Sequence, residues 1–135
     1  MATLVDTNVL LDLATDDPHW AAWSIRALEA AAARGPLLVN DITYAELSVR
    51  FERAEDVDSF LTRGGVRVEH TPRSALFLAG KAFLAYRARG GTRTGVLPDF
   101  LIGAHAAVKG WPLLTRDAGR YRSYFPAVTL LTPHG

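Results

Sequence analysis

The chain contains no cysteine. That excludes a disulfide framework, a thiolate metal site and a cysteine nucleophile. It also lacks a dominant sign of charge: the formal net charge is +1 over 135 residues, so no global basic field argues for nucleic acid. Lysine is scarce. Among fifteen basic side chains only Lys81 and Lys109 are lysine, and the others are arginine, the better bidentate phosphate binder, although genome composition produces the same bias. No apolar run is long enough to span a bilayer and no signal peptide is recognisable, so a cytoplasmic protein without membrane contact is expected. Internal repeats, low-complexity tracts and long linkers are missing, as is a Gly-rich phosphate loop with Lys after the first apolar run.

What is present suits one compact domain spanning residues 1–135, since 49% of the residues are hydrophobic and can fill a core of that size. The run Ala2 to Val5 stops at Asp6, and Val9, Leu10 and Leu13 follow at helical spacing. A strand therefore feeds directly into a helix with Asp6 at the seam, where it serves as an N-cap or as a functional carboxylate. Asp16-Asp17-Pro18 reads as a turn and the start of a helix to about Arg34, with Trp20, Trp23, Ala27 and Ala31 on one face. Leu37-Leu38-Val39 is a second buried strand, Asn40-Asp41 a turn and cap, and Ile42 to about Glu52 a helix. Helical spacing puts Glu46 with Ile42, Ala45 and Val49 on an inward stripe. Its structural alternative is an edge carboxylate paired with Arg50.

Ala54 to Leu61 forms a further helix closed by Gly64-Gly65, Val66 to His70 a half-exposed strand with Glu69 and His70 at the surface, and Pro72 to Ala88 a longer helix. Gly90 to Pro98 is loop-like. The next helix carries Asp99 in its first turn, with Gly103 and Ala106 on the same face for close approach to the sheet. His105 points elsewhere and reads as a satisfied or exposed histidine. Trp111 to Thr115 and Val128 to Leu131 complete the strands; Asp117 follows the former, and His134 lies in the tail. The order is that of an α/β protein with a parallel sheet of four or five strands flanked by helices.

Asp6, Glu46, Asp99 and Asp117 all stand just past a strand or in the first turns of a helix, where they can reach one edge of one sheet. Crowded like charges cost several kcal/mol unless a cation joins them or some are protonated. An all-oxygen set suits Mg²⁺ or Mn²⁺, which lowers the pKa of a bound water; a second ion ~4 Å away can steady a leaving oxygen.

Four blocks carry a family resemblance: Leu4-Val-Asp-Thr-Asn-Val-Leu-Leu-Asp12, Asp41-Ile-Thr-Tyr-Ala-Glu-Leu47, Leu97-Pro-Asp-Phe-Leu-Ile-Gly-Ala-His105 and Leu114-Thr-Arg-Asp117. In order and spacing they resemble the PIN-domain ribonucleases, in particular the VapC-type toxins of bacterial toxin–antitoxin pairs. The resemblance implies a PIN-like domain, Mg²⁺- or Mn²⁺-dependent endonucleolytic cutting of RNA, a homodimer, and inhibition by a small VapB-like antitoxin. It carries over Asp6, Glu46, Asp99 and Asp117 as the catalytic acidic cluster, with Asn8 and Thr115 as supporting groups. Some relatives have a further Asp two residues after the last acid, where this chain has Gly119. A second ion would then be held weakly or completed by RNA phosphate.

Roles follow by chemistry. Asp6, Asp99 and Asp117 hold the metal, Glu46 orients or deprotonates the attacking water, and Asn8 and Thr115 brace the carboxylates. Arg93, Arg116 and Arg120 are candidates for RNA phosphate, with solvated surface charge as the alternative. Asp12 is assigned to the surface. Two rival functions differ in class. A phosphatase of the haloacid dehalogenase kind wants Asp-x-Asp after the first strand, and here Asn8 follows Asp6. A non-catalytic binding module on the same fold would act through a protein or RNA partner.

Overall fold

The computed structural model describes residues 1–93 and 95–133; Thr94, His134 and Gly135 lie outside the described residues. Five short strands form one wholly parallel sheet: β1 (Thr3–Val5), β2 (Leu37–Asn40), β3 (Val66–Glu69), β4 (Leu113–Leu114) and β5 (Leu130–Leu131), in the order β3-β2-β1-β4-β5. Among the described residues the helices are α1 (Thr7–Ala14), α2 (Ala21–Ala32), α3 (Asp41–Ser48), α4 (Ala54–Arg63), α5 (Arg73–Ala88), α6 (Leu97–Lys109) and α7 (Gly119–Tyr124).

Strand alternation divides the core. Leu4, Leu38 and Leu113 face a layer that includes Ala75, Ala79, Phe100, Ile102, Tyr121 and Phe125 of α5, α6 and the α7 region. Val5, Leu37, Val39 and Leu114 face the other layer, with Val9 and Leu10 of α1, Leu28 and Ala31 of α2, and Val57 and Leu61 of α4. Both faces of the central strands are covered, so they read as continuous apolar runs and not as alternating ones.

The chain order reverses between β1 and β4, and ligands of open parallel sheets bind outside such a switch point. Residues leaving both strands are tied there: Asp6 N–H donates to the Leu114 carbonyl at 2.8 Å, and Thr115 N–H to the Leu131 carbonyl at 3.0 Å.

Several boundaries differ from the expectation. The Asp17 carboxylate accepts the N–H groups of His19 and Trp20, holding a turn, so α2 begins at Ala21. α3 stops at Ser48; beyond it the chain turns and Phe51 packs on Phe60, ring centroids 5.4 Å apart. The inward side of α3 is Thr43 and Leu47, while Val49 is 84% exposed. Gly103 does not serve approach to the sheet. A Cβ there would stand 2.5 Å from the Phe125 ring and 3.0 Å from that of Tyr121, so the glycine lets α7 close on α6.

Candidate active site

Asp6 caps α1: its Oδ1 accepts the Thr7 N–H at 2.7 Å. Its Oδ2 accepts the hydroxyls of Thr115 and Tyr121, each at 2.8 Å, and lies 3.5 Å from Asn8 Nδ2. Asn8 Nδ2 also donates to Thr115 Oγ1 at 3.3 Å. The carboxylate is 5% exposed and all of these donors are neutral. Burial, opposed by the hydroxyl bonds and aided by the charge of Asp99, pushes its pKa up to about 6.

Asn40, fully buried, caps α3 by accepting the N–H groups of Ile42 and Thr43. That start places Glu46 two turns on, half-buried, where Oε1 accepts the Thr7 hydroxyl at 2.6 Å. Pro98 sits in the first turn of α6, fixing its start, and Asp99 follows at the positive end of the helix dipole. Burial raises the pKa of Asp99 and Asp117 adds to this, while Arg120 opposes it through an ion pair between Nη1 and Oδ2. Asp117 leaves β4 two residues past Thr115, whose hydroxyl oxygen receives the Asp117 N–H at 3.1 Å.

All four acids line one cavity of about 180 Å³, together with Thr7, Asn8, Leu11 and Tyr121. Among the described residues, however, no three acids or histidines stand close enough to hold a metal ion as placed. The donor set is nonetheless that of a hard cation: oxygen only, one carboxylate buried without a counter-charge, and the pKa values of Asp6 and Asp99 raised by burial first and by a neighbouring acid second.

The candidate arginines fall in different surroundings. Arg120 joins Asp99 and also lines an adjoining open cavity of about 470 Å³ with Arg93. Arg116 turns its guanidinium onto Asp12, with bonds of 2.8 and 2.9 Å. Asp12 is thus not a surface residue: it is 2% exposed and also accepts the Ser24 hydroxyl at 2.8 Å. His105 is not exposed either, and is only half satisfied. Asn40 Nδ2 lies 3.3 Å from its Nδ1, its Nε2 has no partner among the described residues, and burial lowers its pKa. Glu69 and His70 are exposed, as expected, and His70 Nδ1 lies 3.1 Å from an Asp41 carboxylate oxygen.

Two side chains of the site were not singled out from sequence. Thr7 stands inside the Val-Asp-Thr-Asn run, and its position between Asp6 and Asn8 is the available signal. Tyr121 belongs to α7 and offered none.

With this geometry in place, comparison assigns the family. The model of the PIN domain matches residues 3–125, and the chain belongs to the PIN domain family. No curated protein matches it in sequence. Solved structures share the fold. The chain is similar to a protein in the VapBC2 complex of Rickettsia felis bound to promoter DNA (TM-score 0.73, 19% identity, 98% of each chain covered). It is similarly close to one in VapBC-1 of nontypeable Haemophilus influenzae (0.72, 18%, 98% of each). A toxin–antitoxin complex of Klebsiella pneumoniae gives 0.67, 22% and 97% of each chain.

Proposed function

We propose that the chain is a Mg²⁺- or Mn²⁺-dependent endoribonuclease of the VapC toxin type. The observation that carries this reading is the meeting of Asp6, Glu46, Asp99 and Asp117, from four separate segments, in one cavity at the switch point of the sheet. Membership of the PIN domain family and the likeness to chains of toxin–antitoxin complexes support it.

The residue roles follow from their surroundings. Asp6, Asp99 and Asp117 would hold the ion, which when bound supplies a water of lowered pKa and a counter-charge for phosphate. Glu46 keeps one oxygen on Thr7 and has the other to orient or deprotonate the attacking water. Asn8 and Thr115 fix the direction of the Asp6 carboxylate, as does Tyr121. Arg120, paired with Asp99, and Arg93, which lines the same open cavity as Arg120, contact the RNA backbone.

A VapB-like antitoxin is the proposed inhibitory partner, and a homodimer the proposed assembly. The exposed apolar side chains of α5, among them Phe77 at 68% and Leu84 at 62%, support a surface that another chain covers. Among the described residues no helix is long and apolar enough to cross a membrane; cytoplasmic action is part of the proposal.

Two observations favour a non-catalytic module instead: Arg120 already neutralises Asp99, and among the described residues no three acids share an ion position as placed. Incubation of the pure protein with a structured RNA and Mg²⁺ or Mn²⁺ separates the two. Cleavage that EDTA stops, and that Asp99→Asn loses, supports the nuclease. RNA left intact with either ion supports the binding module.

A further inference from the structure

We propose that Asp12 and Arg116 form an internal strap that positions Thr115 and Asp117 at the cavity, so that Arg116 is a positioning residue and not a phosphate contact. The metal-holding part of this rests on the nuclease reading above.

Arg116 sits between two residues of the site. On one side Thr115 donates its hydroxyl to Asp6; on the other Asp117 lines the cavity. The loop leaving β4 therefore sets the separation of the two acids. Its ends are tied, Thr115 N–H to the Leu131 carbonyl at 3.0 Å and Asp117 N–H to the Thr115 hydroxyl at 3.1 Å, but backbone bonding holds its middle loosely. The Arg116 N–H reaches Asn8 Oδ1 only at 3.4 Å.

The side chain supplies the missing anchor. Nε donates to Asp12 Oδ2 at 2.8 Å and Nη2 to Asp12 Oδ1 at 2.9 Å. Two parallel bonds from a planar fork fix direction as well as distance. The guanidinium also lies over the Trp20 ring, 5.3 Å from its centroid. The anchor point is itself held: Asp12 is on α1, buried, and bonded to Ser24 of α2. The loop is thus fastened to the start of α1, through Asp6 and Asn8, and one turn farther along through Arg116 to Asp12.

A phosphate could take the Nε–Nη2 edge of Arg116 only by stripping a buried carboxylate of its cation, which is the expensive way to break such a pair. Arg93 lines open space, and Arg120 pairs with a carboxylate that is itself 35% exposed, so releasing it costs far less.

The test compares wild type with Asp12→Asn and Arg116→Gln, keeping Arg116→Lys as a milder variant should either fail to fold. Three quantities are read: hydrogen exchange of the Arg116 and Asp117 amides in metal-free protein, the Mn²⁺ dissociation constant, and the salt dependence of binding to a structured RNA. The strap predicts faster exchange at both amides in both variants, Mn²⁺ affinity about tenfold weaker, and an unchanged salt slope. Unchanged exchange would overturn it. So would intact Mn²⁺ affinity together with a slope lowered by about one in Arg116→Gln alone, the mark of a lost phosphate contact. Wild-type protein that binds no Mn²⁺ would sink the nuclease reading instead, and amide exchange would still decide the strap.

Discussion

The α1 segment carries two buried carboxylates, Asp6 at its cap and Asp12 in its second turn, 5% and 2% exposed. Asp12 faces two guanidinium N–H groups and a serine hydroxyl. Asp6 faces a peptide N–H, two hydroxyls and an amide, with the charge of Asp99 acting against it. Burial is nearly the same and the counter-charge is not. A buried acid with a fixed cation is electrostatically complete and acts as structure. One given only neutral donors and like-charged neighbours is incomplete, and a divalent cation is its complement.

The comparison breaks or holds most sharply under one substitution made at both places. Asp6→Asn should lower metal-dependent RNA cleavage by about a hundred- to a thousandfold, the several kcal/mol that a metal-held transition state is worth. Wild-type rates from that variant would end the catalytic assignment of Asp6. Asp12→Asn should instead act on folding, costing about 3 kcal/mol, because it leaves Arg116 without its partner. Urea unfolding of metal-free protein measures this, and a loss below about 1 kcal/mol would place the pair among ordinary surface contacts.

The same urea experiment on Asp6→Asn should give the opposite sign. A carboxylate whose folded pKa stands near 6, against an ordinary 3.8, binds protons better folded than unfolded. Its contribution to stability therefore falls as pH rises between about 4 and 6 and stays unfavourable above that window. Replacing it with a neutral amide should stabilise the metal-free protein at pH 7 by about 2 kcal/mol, somewhat less than the shift converts to at 1.36 kcal/mol per unit. The hydroxyls of Thr115 and Tyr121 can turn to accept from the new amide. The gain should vanish near pH 4, and a gain that persists there would show that the charge is not its source.

These differences also show what sequence could and could not disclose. The strands and three of the acids are legible because each is a local event: an apolar run that stops at Asp6 or shortly before Asp117, or a helix start just before Asp99. Glu46, inside α3, is marked by the family resemblance instead. Rotation about a helix axis is less legible. α3 is apolar on two sides, and periodicity alone chose the stripe of Ile42, Ala45 and Val49 where packing chose Thr43 and Leu47. Asp12 was misplaced for a related reason. Helical spacing says which way a residue points but not what will cover it, and its partners come from 12 and 104 positions away. Tyr121 reaches Asp6 across 115 positions, and only because Gly103 admits α7.

The smallest expected effect concerns Asp99, the acid of the cavity that, among the described residues, already has a cation. Arg120 pairs with Asp99, both side chains being partly exposed at 26% and 35%. Such a pair is worth about 1 kcal/mol at most, so it is easily exchanged. If the cavity is a cation site, the guanidinium and the metal compete for the same carboxylate, and Arg120→Ala should tighten Mn²⁺ binding up to about fivefold, the equivalent of that energy. RNA affinity should fall at the same time, with a lower salt slope, since the arginine released from Asp99 is free to meet phosphate. Tighter metal with weaker RNA would show Arg120 to be shared between acid and substrate. Weaker metal would show that it holds Asp99 in place, and would put Arg120 beside Arg116 among the positioning residues.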